Sequence, residues 1–332
     1  MVEPRVIVHT GMAKCMSTTL QNYWSSDHSY AISLLEDPNR QIEDVIIEHN
    51  GDRQALQQLI GSSSITFDVK NDKVNIFSSE GVSNAFNGRP GYARFQSVKQ
   101  ELFASILSKR SETLFFVVRD PVRWVRSIYA QHLREGGTLD LADYLDEHRG
   151  FLLETLNLDK TLATWARDGF EILVLPLELA SRMEEFWGLY EKYLGIPRPK
   201  KQPDVVLSQT AENRTLYERL PAQKVLNGAM SLLIDGAQNE PLTPDQMNST
   251  MNLMRVLGTR TGVDNMTDEQ FARLCRLINP ELLVGEDVLF DVDLIEAFIG
   301  RHTDKYFLPA ARDFCPPECR DIVENYSVKP AK

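Results

Sequence analysis

The residues best suited to chemistry stand near the start of the chain, in the run His9-Thr10-Gly11-Met12-Ala13-Lys14-Cys15-Met16-Ser17-Thr18-Thr19-Leu20-Gln21. Lys14 brings a full positive charge, and Ser17, Thr18 and Thr19 bring hydroxyl donors. The run follows an apolar segment, Arg5–Thr10, that reads as a buried strand. It precedes a helical pattern, Ser17–Ser25, with Leu20 and Trp24 on one face. A strand-to-helix junction is a natural anion site, because N–H groups at the helix start point outward and the helix dipole favours negative charge. The set suits a terminal phosphate or sulfate. It lacks the spacing of the common nucleotide loop, which needs glycines ahead of an adjacent Lys-Ser/Thr pair. A plainer reading also fits these residues: the hydroxyls cap a helix and Lys14 is a solvated surface side chain.

A second run, Phe115-Phe116-Val117-Val118-Arg119-Asp120-Pro121-Val122-Arg123-Trp124-Val125-Arg126-Ser127-Ile128-Tyr129, repeats the strand–turn–helix order. Leu114–Val118 is continuously apolar, as in a central parallel strand. Asp120 can cap a helix over Pro121–Arg134, with Pro121 at its first position. Arg119 at the strand end has a fork that can give one phosphate two hydrogen bonds. Arg123 and Ser127 are spaced to share a helix face. For a reaction at an acceptor hydroxyl, a positioned base is needed. Glu80, in Phe77-Ser78-Ser79-Glu80-Gly81, follows the β-type run Val74–Phe77 and should emerge at a strand end, where ligands sit in such sheets. His9 is the competing base, although in the strand of the anion loop it is better placed to pack. Asp68 and His132 are weaker candidates with no motif behind them.

These residues need a frame. Helical patterns cover Gln41–Ile60, Tyr92–Lys109, Leu152–Trp165 and Leu179–Leu194, and further β-type runs cover Ile65–Val69, Val74–Ser78 and Glu171–Leu177. The alternation implies a mostly parallel sheet with helices on both faces. After the Pro- and Lys-rich connector at Arg198–Pro203 only helical patterns are evident. The expected organisation is a single domain over 1–332, with an α/β nucleotide-binding core at 5–200 and a mainly helical cap or extension at 201–332.

Composition narrows the partners. The 332 residues are 42% hydrophobic and 25% charged, ordinary for a globular protein. A net charge of −11 argues against nucleic acid or an anionic membrane as the main partner, so an anionic ligand requires a local basic pocket. No stretch reaches the ~20 apolar residues of a membrane span, and no basic-then-apolar leader opens the chain, so a cytoplasmic location is expected. Cys315 and Cys319 flank Pro316-Pro317-Glu318 without the nearby ligands of a metal site. They could form a disulfide in an oxidising compartment, and free thiols are the plainer reading.

The two runs resemble those of the PAPS-dependent sulfotransferases, in particular the bacterial, carbohydrate- or heparan-sulfotransferase-like branch. His9, Gly11, Lys14, Ser17, Thr18, Leu20 and Gln21 match the family's first motif; Met16 stands where that motif usually has Gly. Arg119-Asp120-Pro121 and Ser127-Ile128-Tyr129 match the second. The likeness extends more loosely over residues 5–200. It implies a three-layer, P-loop-like α/β fold. It further implies that a sulfuryl group moves from 3′-phosphoadenosine 5′-phosphosulfate (PAPS) to a hydroxyl or amine, leaving adenosine 3′,5′-bisphosphate, with no metal. By the same likeness the donor is held by Gly11, Lys14, Ser17, Thr18, Thr19, Arg119 and Ser127, the last two at the 3′-phosphate. Lys14 takes the charge-stabilising role and Glu80 the place of the family's catalytic glutamate. The acceptor is a small molecule or carbohydrate that no motif identifies. Two rivals remain at this point: a family member that binds PAPS or its product without turnover, and a P-loop nucleotide kinase.

Overall fold

The computed structural model describes residues 5–62, 68–86, 89–200, 219–228, 267–277, 289–303 and 308–326. Five strands, β1 (Val6–His9), β2 (Tyr30–Leu34), β3 (Val74–Ser78), β4 (Thr113–Val118) and β5 (Glu171–Pro176), form one sheet. Its order is β2-β3-β1-β4-β5, and every pairing is parallel. The helices of this part are α1 (Ser17–Ser26), α2 (Glu36–Glu48), α3 (Arg53–Ser62), α4 (Gln96–Leu107), α5 (Pro121–Arg134), α6 (Leu141–Glu147), α7 (Arg149–Leu156), α8 (Leu158–Arg167) and α9 (Met183–Leu194).

The sheet order dictates the layers. The chain steps from β1 outward to β2, then returns through β3 and continues past β1 to β4 and β5. Right-handed crossovers therefore put α1 on one face and the later connections on the other. Contacts agree. Phe115 of β4 meets Trp24 of α1 and Phe186 and Tyr190 of α9, with ring centroids 5.5–6.3 Å apart. On the other face α2, α3 and α8 pack against α4. Leu114–Val118 is buried to 0% exposure at every residue, which is what a strand covered on both faces requires. The result is a three-layer, P-loop-like α/β fold. The direction reverses at β1, so the crevice at the carboxyl ends of β3, β1 and β4 is where such a sheet binds ligands.

Several boundaries differ from the sequence expectation, each for a local reason. The helix expected over Gln41–Ile60 is two, α2 and α3. Asn50 (φ 47°) and Gly51 (φ 73°) turn left-handed after α2, and Asp52 Oδ1 caps α3 by accepting from the N–H groups of Gln54 and Ala55. The helix expected over Leu152–Trp165 is likewise α7 and α8, divided at Asn157, whose side chain accepts from Lys160 N–H. Tyr92–Lys109 and Leu179–Leu194 each begin as 3₁₀ turns, Pro90–Phe95 and Leu177–Arg182. Strand β2 was not foreseen. The β-type run expected at Ile65–Val69 lies mostly outside the described residues, and its last two, Asp68 and Val69, are in no strand. Asp120 caps α5 as expected, its Oδ1 accepting from Arg123 N–H at 2.9 Å.

The chain divides into two compact units, one of Met1–Val125, Leu145–Val206 and Ile295–Lys332, the other of Arg126–Tyr144 and Leu207–Leu294. The first carries the sheet. The second, among the described residues, is helical: the later turns of α5, a helix over 219–228 and the helix Asp268–Leu277. Asn227 Nδ2 donates to the carbonyls of Leu133 and Gly137 at 2.7 Å, and Arg219 pairs with Asp268 at 2.6 Å. Beyond 200 no strand occurs among the described residues, and none of the described helices is long and apolar enough to cross a membrane.

Candidate active site

The loop between β1 and α1 is built on an unusual backbone. Lys14 has φ 61° and Met16 φ 54°, both left-handed, whereas the intervening Cys15 and the following Ser17 do not have positive φ. Alternation of this kind is found in the nests that bind anions in phosphate loops; here the Cys15 N–H is taken by Met12 O at 3.2 Å. Helix α1 then starts at Ser17 with no side-chain cap and no acidic residue in its first turn, so nothing in that turn offsets the positive end of its dipole. A left-handed residue with a Cβ costs about 1–2 kcal/mol. Two such residues in one tight loop persist only because the surroundings hold them, a pattern that collects at functional sites.

Those surroundings are visible. Trp124 Nε1 donates to Ala13 O at 2.9 Å, Ala13 N–H donates to Asn84 Oδ1 at 3.4 Å, and the Ser83 hydroxyl donates to Thr10 O. Met12 N–H reaches Val117 O at 3.4 Å, and Arg119 Nη1 donates to Lys14 O at 3.5 Å. Gly11 is closely approached: a Cβ there would stand 3.3 Å from His9 Nε2, which would have to give by a few tenths of an ångström, and 3.5 Å from Val117 N. Met16→Gly should therefore stabilise the protein by about 0.5–1 kcal/mol, the relief of left-handed strain less the entropy that glycine adds to the unfolded chain. Denaturant melts of the two proteins measure this. A loss of stability would mean that the Met16 thioether packing outweighs its backbone strain.

Glu80 faces this loop from the end of β3. Ser79 N–H pairs with His9 O at 3.0 Å, so β3 delivers Glu80 one residue beyond the sheet, beside β1. Burial raises the Glu80 carboxyl above the ordinary carboxylate range. The Lys14 ammonium pulls it down and Glu36 pushes it up, and the Lys14 N–H and, least of all, the Ser17 hydroxyl also lower it. The carboxylate therefore draws on donors of the anion loop itself.

The turn after Glu80 is held by residues that sequence reasoning missed. From one face of α4, Lys99 Nζ donates to Gly81 O at 2.8 Å and Asn84 O at 2.5 Å. Gln96 Nε2 donates to Val82 O and Ser83 O at 3.1 Å, and Gln100 Nε2 to Val82 O at 2.5 Å. Four consecutive carbonyls, Gly81 to Asn84, are thus captured by polar side chains of one helix. Lys99 is fully buried, pairs with Glu43 at 2.8 Å and lies 4.8 Å from the Phe86 ring centroid. Burial lowers Lys99 to about 8 against the pull of Glu43, so it remains an ammonium at neutral pH. The available signal was the placing of Gln96, Lys99 and Gln100 among the apolar positions of a helix.

The other expected site residues are distributed as follows. His9 is at 0% exposure between Trp24 and Phe115, with Nδ1 2.9 Å from Ser78 Oγ, and Gln21 Nε2 donates to that oxygen at 2.9 Å. Burial drives His9 down to about 3, so the imidazole is neutral and ties β1 to β3 beneath the loop. Ser17 and Thr19 are buried, Thr18 is exposed, and Arg119 is half-buried. Lys14, Ser17, Glu80 and Arg119 are thus gathered around one loop. Ser127 is on α5 in the second unit, where His132 stacks with Tyr129 and lies tilted against Tyr144. Asp68 is an exposed partner of Lys70. Among the described residues no group of three or more His, Cys, Asp or Glu side chains is arranged to hold a metal.

No family model matches the chain, and no curated protein matches it. Among solved structures the chain is similar to the crystal structure of a sulfotransferase from Alicyclobacillus acidocaldarius, at 16% identity and a TM-score of 0.38, over 69% of this chain and 94% of that one. That likeness assigns no residue a role.

Proposed function

We propose that this chain is a PAPS-dependent sulfotransferase. The observation that carries the reading is the left-handed turn at Lys14–Met16 that opens helix α1, with Lys14 and Arg119 at its sides and a carboxylate, Glu80, beside it. The motif resemblance then specifies the anion: the 5′-phosphosulfate on this loop, the 3′-phosphate on Arg119 and Ser127. The residues fit such a donor, because the uncapped start of α1 supplies N–H groups and the two cations offset the charge of the phosphosulfate. PAPS supplies the sulfuryl group. Lys14 holds positive charge where negative charge develops on the leaving phosphate. Glu80 takes the proton of the acceptor hydroxyl or amine, and His9 with Ser78 and Gln21 keeps β1, β3 and α1 in register beneath the loop. Met16 does not weigh against turnover, since the backbone at Met16 keeps the left-handed turn a glycine would give.

Calorimetry tests the donor. Adenosine 3′,5′-bisphosphate should bind and ATP with Mg²⁺ should not; the reverse result would make the chain a nucleotide kinase. Arg119→Ala should weaken the bisphosphate about 10–100-fold, the range for losing one hydrogen bond to a charged group. Adenosine 5′-phosphate should lose little. Equal losses for both ligands would move Arg119 from the 3′-phosphate to the loop, where it already touches Lys14 O.

A further inference from the structure

Far from the anion loop, the chain carries two thiols in contact. Cys315 and Cys319 stand 3.2 Å apart, Sγ to Sγ, on the tight turn Cys315-Pro316-Pro317-Glu318-Cys319. Both are buried, at 3% and 0% exposure. Cys315 lines a cavity of about 370 Å³ at the edge of the sheet, together with Glu171, Tyr193, Asp313 and Arg320. The turn also fastens the end of the described chain. Val174 N–H of β5 donates to Phe314 O at 3.0 Å, and Glu318 accepts from Lys192 and from the Tyr193 hydroxyl of α9. Beyond it, the Tyr326 hydroxyl donates to Glu178 at 2.7 Å, at the carboxyl end of β5.

We propose that Cys315 and Cys319 are a redox modification site, oxidised by a hydroperoxide to an intramolecular disulfide that clamps the turn Cys315–Cys319 shut at the sheet edge. The geometry is nearly complete: closing the contact to a bond of about 2 Å needs an approach of little more than about 1 Å. The turn is held at both ends by β5 and α9, so the sulfurs cannot drift apart cheaply. The hydrogen bond between the two thiols lowers Cys319 and raises Cys315, so Cys319 is the one that ionises first. A hydroperoxide suits a nearly buried pair because it is small; the cavity brings it to Cys315, whose Sγ is 3.2 Å from that of Cys319.

The steps balance. Cys319 thiolate attacks one peroxide oxygen, an S–O bond forms, the O–O bond breaks and hydroxide leaves. Cys315 sulfur then attacks Cys319 sulfur, the S–S bond forms and the S–O bond breaks; the Cys315 proton leaves with the departing oxygen as water. Two thiols and one hydrogen peroxide become one disulfide and two waters, sulfur being oxidised and peroxide oxygen reduced. A small-molecule dithiol reverses it by exchange.

The tryptic peptide Asp313–Arg320 carries both thiols and no other cysteine, so the outcome is read directly. The intact wild-type protein is treated with hydrogen peroxide, alkylated while denatured, digested and weighed. The peptide should appear two hydrogens lighter and unalkylated, revert on treatment with dithiothreitol, and raise the apparent melting temperature of the oxidised protein by a few degrees. In Cys315→Ser the same treatment should leave a sulfenic acid on Cys319 that dimedone traps. Peptides that stay fully alkylated, that gain oxygens irreversibly, or that link to another chain would overturn the proposal. A disulfide that forms without changing the melting temperature would overturn the clamp.

Discussion

Glu80→Gln should lower turnover by ~10²–10⁴, the range of a positioned general base, while binding of adenosine 3′,5′-bisphosphate stays equal or tightens. The two halves of that result come from one geometry. Glu80 draws on the Lys14 ammonium and N–H, groups that an anion on the loop would also use. Glutamine keeps the size and removes the negative charge, so it relieves repulsion toward a bound phosphate while abolishing proton abstraction. The pH profile gives an independent reading. Burial raises the Glu80 carboxyl, and a base acts when deprotonated. Wild-type activity should therefore fall as pH falls through a value above the ordinary carboxylate range, and Glu80→Gln should lose that limb. The measurement is bisphosphate release from PAPS over a panel of phenols, alcohols, amines and sugars. A variant with wild-type turnover and an unchanged acid limb would remove Glu80 from the role and make His9→Asn the next protein to test. The fully buried, neutral His9 argues for Glu80 first.

How much of this was legible beforehand depended on whether the cause was local. The strand–loop–helix order around Lys14 could be read because a strand, a short loop and a helix starting at Ser17 are set by neighbours in sequence. The bounds of α5 were readable for the same reason: Asp120 caps it and Pro121 opens it. The breaks at Asn50-Gly51-Asp52 and at Asn157 were also local; an apolar period running through them hid the turn residues. Strand β2 was not legible. It is an edge strand with only Tyr30 buried and Leu34 57% exposed, so neither alternation nor a continuous apolar run marks it. The conformation of Met16 was beyond sequence altogether, since residue type alone argued for negative φ and the loop contacts impose the opposite. The polar grip on Gly81–Asn84 required knowing that α4 buries Lys99 against a turn some fifteen residues earlier.

That grip carries the other large effect. Lys99→Met should destabilise the protein by about 3–5 kcal/mol, because it leaves the Glu43 carboxylate, at 7% exposure, buried without its cation. The apparent melting temperature should fall by about 10 °C. Stability alone would make Lys99 a structural residue, so a second variant separates the roles. Lys99→Met with Glu43→Leu removes both charges and should recover much of the lost stability, as replacement of buried pairs by apolar side chains often does. It does not restore a donor to Gly81 O and Asn84 O. If Lys99 positions Glu80, the double variant should melt close to wild type yet turn over slowly, with the bisphosphate bound normally and amide exchange in 81–86 accelerated. Binding holds because the loop keeps Trp124 on Ala13 O, while turnover falls because the Glu80 turn is released. A double variant with wild-type turnover would confine Lys99 to the stability of the fold, and a single variant with an unchanged melting temperature would deny it even that.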